Sequence, residues 1–173
     1  MTKPEFSHFF KLSDLGEAPV KGRLEADQVS RQALAKRFDL PDISELTCEY
    51  QLVGAEEKIS FKGKISADLE QRCAISGESF PVHMDEAFDI IFVPRSNLSD
   101  QEEIELSEDD CDIVEFEDGK IDLGEAVAQS FYLALEPYPR GPNADENAQK
   151  KGLLNEEEAG PFGALAALKD KLD

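Results

Sequence analysis

Three consecutive segments between residues 45 and 93 alternate between apolar and polar side chains. Their apolar members are Leu46, Cys48, Tyr50 and Leu52 in the first, Ile59, Phe61, Ile65, Ala67 and Leu69 in the second, and Val82, Met84, Phe88, Ile90 and Phe92 in the third. A period of two buries one face of a strand and leaves the other in water, which is typical of antiparallel sheets. The pattern predicts a β-meander at the centre of the fold, either as an open sheet or closed into a barrel.

Two helices are predicted on either side of this meander. The first runs to about residue 38, with Asp27 as its N-cap acceptor and two basic residues at its end, and Pro41 stops it. The second runs from about Leu123 to Leu135 and is capped by Asp122. Together with the meander, and with short strands expected at 6–12 and 20–24, they predict an α+β fold with a mainly antiparallel sheet and two principal helices.

The 173 residues are enough for one domain of ordinary size. The predicted organisation is a core domain at 1–136 with a mobile acidic loop inserted at 96–118, a flexible linker at 137–160 rich in Pro, Gly and Asn, and an amphipathic C-terminal helix at 161–173. A helix of about a dozen residues is too short to be stable alone in water. The C-terminal helix is therefore expected to dock, either on its own domain or on a partner.

The charge of the chain is strongly negative and unevenly distributed. Asp and Glu number 38 against 18 Lys and Arg, a formal net charge of −20. Residues 1–72 are nearly neutral at −2, whereas residues 73–173 carry −18, and the run from Asp100 to Asp118 holds 11 acids and no base. Such a chain cannot wrap a phosphate backbone, because that requires many Lys and Arg contacts. It can still contact RNA locally through residues 1–72 and attract a basic protein through residues 73–173.

Two sets of charged residues are the candidate binding sites. The RNA-binding candidates are on the outward face of the second alternating segment and at its end: Lys58, Lys62, Lys64 and Arg72. The candidates for binding a basic partner are in the acidic run: Glu102, Glu103, Glu105, Glu108, Asp109 and Asp110. On the pattern alone, ordinary solvated strand polarity explains the first set better than RNA binding does. A loop that merely keeps the protein in solution explains the second set as well as partner binding does.

Motifs for catalysis, metal binding and membrane insertion were sought and none was found. The chain has no phosphate-binding loop, no nucleophile elbow and no zinc-ligand spacing. We therefore expect no enzyme activity, cofactor, metal or small-molecule substrate. A small metal-binding or hydrolytic protein using Cys73, His83 and the acidic loop is the alternative.

Three widely spaced cysteines, with no signal peptide and no long apolar run, predict a cytoplasmic protein without a membrane partner.

Several segments together resemble one known family. In chain order they are Leu69–Cys73 followed by Phe80-Pro81-Val82, then Glu117–Glu125, Tyr132–Leu135 and Pro161–Lys169. In that order and at those separations they resemble the bacterial YceD family, the large ribosomal RNA subunit accumulation proteins. The resemblance covers residues 60–173 well and the first third only by general pattern.

The resemblance implies a function. It implies a cytoplasmic, non-enzymatic factor that supports 23S ribosomal RNA levels and large-subunit assembly, with ribosomal RNA or a pre-ribosomal particle as its partner. Because family genes commonly lie beside that of ribosomal protein L32, that basic protein is a candidate partner too. Many members carry a C-x-R-C pair where this chain has only Cys73, after Gln71 and Arg72. Metal binding at that turn is therefore not expected here.

Overall fold

The computed structural model of this chain describes residues 5–55, 57–95 and 112–152, and these residues form seven strands and three helices. The strands are β1 (Phe9–Lys11), β2 (Val20–Glu25), β3 (Asp42–Ala55), β4 (Lys58–Arg72), β5 (Ser79–Pro94), β6 (Asp112–Phe116) and β7 (Lys120–Asp122). The helices are α1 (Gln28–Arg37), α2 (Leu123–Ala134) and α3 (Ala144–Lys150). The predicted α+β class is confirmed.

Five strands form one sheet in the order β2-β3-β4-β5-β6. Strand β3 pairs antiparallel with both β2 and β4, and β5 follows β4, so the predicted meander is present. Strand β6 pairs parallel with β5, from Ile90 opposite Asp112 to Pro94 opposite Phe116, which the sequence did not predict. Within the described residues the sheet is open and does not close into a barrel.

The alternating apolar face of the meander is the core of the protein. Phe61 is completely buried, and its ring centroid lies 5.6 Å from that of Tyr50, 4.9 Å from that of Phe88 and 5.9 Å from that of Phe92. These aromatic rings on β3, β4 and β5 pack edge to face or tilted, the arrangements that aromatic pairs prefer. The apolar side of α2 completes the same core, with Val127 and Phe131 fully buried.

Both predicted helix caps are present. The Asp27 carboxylate accepts a hydrogen bond of 2.7 Å from the Ser30 backbone N–H at the start of α1. Asp122 accepts from the first turn of α2 and also from the His8 backbone N–H at 2.8 Å and the Ser7 hydroxyl at 2.5 Å. The second cap therefore also holds the N-terminal segment against α2.

An ion pair joins the end of α1 to the start of α2. The Arg37 guanidinium donates two hydrogen bonds to the Glu125 carboxylate, at 2.7 and 2.9 Å, and lies 3.1 Å from a Glu5 oxygen. The bond from Arg37 is the main cause that lowers the pKa of Glu125. Bidentate pairs of this kind are stronger and more directional than single ones.

The chain divides into two compact units. Among the described residues, the first contains those up to Glu70 together with those between Pro81 and Glu136, and the second contains Gln71–Phe80 and residues 137–152. Within the second unit the Ala74 N–H donates to the Pro139 carbonyl at 2.8 Å. Helix α3 falls inside the predicted linker at 137–160, so part of that segment is helical. The predicted C-terminal helix and residues 96–111 of the predicted acidic loop lie outside the described residues.

Two glycines leave room for the large rings of the core. A Cβ on Gly63 would lie 2.6 Å from the Glu49 carbonyl oxygen and 2.7 Å from the Phe88 ring, and one on Gly22 would lie 2.5 Å from the Tyr50 hydroxyl. Real Cβ atoms do not approach other heavy atoms this closely. Glycine at these strand positions is a requirement of the packing.

Gly63→Ala should therefore destabilise the protein by about 1–3 kcal/mol, the usual cost of overpacking a core. Urea unfolding measures the change. Gly16→Ala is the matched control, because nothing lies within 4 Å of a Cβ at Gly16. We expect the control to change the free energy of unfolding by less than about 0.5 kcal/mol. Equal effects of the two substitutions would contradict this account of the core.

Candidate functional site

The three predicted RNA-binding lysines of β4 are all exposed on the outward face of the sheet. Two of them are paired with carboxylates of β5: the Lys62 ammonium lies 2.6 Å from an Asp89 oxygen, and the Lys64 ammonium lies 2.8 Å from an Asp85 oxygen. The hydrogen bond from Lys64 is the main cause that lowers the pKa of Asp85. The positive charges of Lys62 and Lys64 are thus locally balanced.

The same balance extends across the sheet. The register places Arg23 of β2 opposite Glu49 of β3, and Glu49 opposite Lys64 of β4. Directly opposed residues of an antiparallel pair are close enough for their side chains to interact. Positive and negative side chains therefore alternate across four strands, from Arg23 to Asp85, and this face is a mixed-charge surface. The fourth predicted RNA-binding residue, Arg72, ends β4 and belongs to the second unit.

Asp85 and Asp89 were not predicted as part of this surface, although the sequence carries a signal for Asp89. In a hairpin, positions equidistant from the turn face each other. Counting outward from the turn between β4 and β5 would have paired Lys62 with Asp89, and Asp68 with His83. The second pair is also present, with 2.7 Å between the His83 ring and the Asp68 carboxylate, and this hydrogen bond is the main cause that raises the pKa of His83.

The acidic candidates Glu102, Glu103, Glu105, Glu108, Asp109 and Asp110 lie outside the described residues. At the described end of the acidic run, Arg95 forms ion pairs with Glu115 and Glu117. One base therefore offsets part of the negative charge there.

Cys73 lies in the second unit and has an unusually acidic thiol. Its sulfur accepts a hydrogen bond from the Ser76 backbone N–H at 3.5 Å. Hydrogen bonds from the Ser76 side chain and backbone, and then from the Gly141 backbone, lower the pKa of this thiol to about 6, although burial acts in the opposite direction. A cavity of about 390 Å³ adjoins it, lined by Cys73, Ser76, Glu78, Ser79, Phe80, Gly141, Pro142 and Asn143.

Cys73 and His83 belong to the alternative predicted site, a metal-binding or hydrolytic one. Cys73 belongs to the second unit and His83 to the first. Across residues 5–55, 57–95 and 112–152, no three His, Cys, Asp or Glu side chains are grouped so that they could hold a metal ion. The helices of these same ranges include none that is long and apolar enough to cross a bilayer.

Comparison with known families decides where the chain belongs. The model of a family described as large ribosomal RNA subunit accumulation protein YceD matches residues 61–169, more than half of the chain. The chain belongs to the YceD family. The family predicted from the sequence is thereby confirmed, and the family description links the chain to the accumulation of large-subunit ribosomal RNA. No curated protein and no solved structure matches the chain significantly.

The acidity of Cys73 predicts its reactivity. Alkylation by iodoacetamide, quantified by mass spectrometry of each cysteine peptide, should be half-maximal near pH 6 and level off between about pH 7 and 8, because the thiol has a pKa of about 6 and the thiolate is the reactive form. Cys48 should stay unlabelled in the folded protein, since burial raises its pKa to about 12. Ser76→Ala should shift the inflection upward. A wild-type rate still rising near pH 8.5, the pKa of about 8.5 of a free thiol, would contradict the assignment.

The ion pairs of β4 and β5 predict a gain of RNA binding when they are removed. Asp85→Asn combined with Asp89→Asn releases two lysines, so retention of single-stranded RNA should rise. The salt slope, which is the slope of the logarithm of the binding constant against the logarithm of the salt concentration, should steepen by up to about 1.4, or about 0.7 for each phosphate. Filter binding at several salt concentrations measures both. Asp42→Asn with Glu45→Gln removes the same charge from β3 and is the control. Equal gains in the two double variants would show that the ion pairs do not mask the lysines.

Proposed function

We propose that this protein supports the accumulation of 23S ribosomal RNA as a non-catalytic binding factor of the cytoplasm, which associates with the large-subunit precursor particle. The family membership supports the link to large-subunit ribosomal RNA. The proposal adds to it a mode of action, binding to a basic ribosomal protein, and a place of action, the particle during assembly.

The observation that carries this mode of action is the distribution of charge. On the outward face of the sheet, Lys62 and Lys64 are each paired with a carboxylate, so this face has little net charge with which to attract phosphates. The chain as a whole nevertheless carries −20, and the largest share lies in the run from Asp100 to Asp118. A net excess of negative charge steers basic partners toward a protein over long distances.

A basic ribosomal protein is therefore the favoured partner, and ribosomal protein L32 is one candidate. Ribosomal proteins must be kept from binding RNA at the wrong place before they are assembled, and a run of carboxylates offers their lysines and arginines an alternative to phosphate. Direct contact of ribosomal RNA with the Lys58, Lys62, Lys64 and Arg72 surface is the competing mechanism. It would require two ion pairs to open, which makes it the weaker of the two.

Neutralising six acids of the run should lower the co-purification of basic ribosomal proteins, measured by quantitative mass spectrometry. It should also lower the yield of mature 23S ribosomal RNA. The six acids, replaced with Gln or Asn, are Glu102, Glu103, Glu105, Glu108, Asp109 and Asp110. Electrostatic association falls when opposing charge is removed. The matched control removes six exposed acids elsewhere: Asp14, Glu17, Glu25, Asp42, Glu45 and Glu70. Both variants have the same net charge. Retention of the basic proteins by the first variant at the wild-type level would refute the proposed mechanism.

A further inference from the structure

Pairing of β1 with β7 assembles a surface that neither segment carries alone. The two strands form a small antiparallel sheet of their own, with Phe9 opposite Asp122 and Lys11 opposite Lys120. Phe9 and Lys11 are two residues apart on one strand and therefore share a face. Residues more than 100 positions apart in the chain thus meet in one exposed patch, which we call the Phe9–Lys11–Lys120 patch.

The aromatic ring of this patch is available for stacking. Phe9 is 58% exposed, a large fraction for a phenylalanine in a paired strand. The Lys120 ammonium lies 5.4 Å from the centroid of the Phe9 ring. An exposed ring beside a cation is the combination on which proteins stack the bases of single-stranded nucleic acids, because every base has a flat aromatic face.

Among the described residues, the two lysines of the patch have no acidic partner within ion-pair distance. Neither Lys11 nor Lys120 forms an ion pair with any of the described residues, in contrast to Lys62 and Lys64 on the large sheet. Like charges directly opposite each other on paired strands destabilise the pairing. A phosphate between the two ammonium groups would remove this repulsion, so the patch has a physical reason to favour an anion.

Lys120 borders two cavities. The larger, about 620 Å³, is lined by Lys11, Ser13 and Lys120 among others, and the smaller, about 250 Å³, is lined by Phe9 and Lys120. The larger cavity falls within the range of about 300–1,000 Å³ that is usual for ligand pockets, and the smaller lies just below it. Because Lys120 borders both cavities, a chain that places one base on Phe9 in the smaller cavity has the lysine pair of the larger cavity next to it.

Most of the carboxylates near the patch are already engaged. Asp122 caps α2, Glu125 pairs with Arg37, and Glu115 and Glu117 pair with Arg95. Glu57 and Asp118 border the larger cavity and offset the charge of the two lysines there. Contact with RNA is therefore limited to one or two phosphates, and stacking on Phe9 contributes most of the affinity.

We propose that the Phe9–Lys11–Lys120 patch binds single-stranded RNA, with one base stacked on Phe9 and an adjacent phosphate held between Lys11 and Lys120. This inference deepens the proposed function. The identification of the RNA as large-subunit ribosomal RNA rests on that function. It places the RNA contact on a different surface from the lysines of β4.

Fluorescence anisotropy with a labelled single-stranded RNA of twelve nucleotides tests the patch in the full-length protein. Phe9→Ala should weaken binding by between about 5-fold and 150-fold, the range for loss of one stacked base, while Phe9→Trp keeps or tightens it. Lys11→Gln with Lys120→Gln should reduce the salt slope by about 0.7 to 1.4, corresponding to one or two phosphates. Lys21→Gln with Lys36→Gln removes the same charge from exposed residues elsewhere and should leave binding unchanged. Thermal unfolding confirms that each variant is folded.

The inference is overturned if the wild type does not bind the RNA, if Phe9→Ala binds as the wild type does, or if the two lysine variants weaken binding equally. These outcomes are independent of the proposed function, which is tested by co-purification of basic ribosomal proteins and by 23S ribosomal RNA levels. If Phe9→Ala lowers that co-purification while RNA binding is unchanged, the patch is a protein contact and the RNA assignment is wrong.

Discussion

Burial of one face of the meander is the constraint on which the rest of the structure depends. Phe61 of β4 contacts aromatic rings from both neighbouring strands and is fully inaccessible to solvent. Because side chains alternate along a strand, a shift of the register by one residue would turn this whole apolar set toward water. The register is therefore strongly specified, and the positions of all outward side chains follow from it.

The charge pattern of the outer face is a direct consequence of that register. With the apolar set buried, Lys62 and Lys64 must face outward, and the adjoining β5 presents Asp89 and Asp85 to them. Exposed ion pairs of this kind contribute little to stability, about 0–1 kcal/mol each. Their effect is on recognition, since they leave this surface with little net charge, and the unbalanced charges that could select a partner lie elsewhere.

Much of the fold followed from local patterns. The alternating segments became β3, β4 and β5, and Asp27 and Asp122 cap α1 and α2, because periodicity and capping depend on residues close together in the chain. The parallel pairing of β6 did not follow, since a five-residue strand carries no signal for its partner or direction. Helix α3 was missed too, because its seven residues lack an apolar period.

The sequence by itself determined the class of fold, the core face of each long strand, both principal helix caps and the family. These properties depend on short-range patterns or on the order of recognisable segments along the chain. Only the tertiary structure decided which charges are neutralised and which are available. The pairing of β1 with β7, which joins Phe9 to Lys120, costs the entropy of closing a loop of more than 100 residues, and only packing of the whole core compensates for it. No local pattern near either residue could have revealed it.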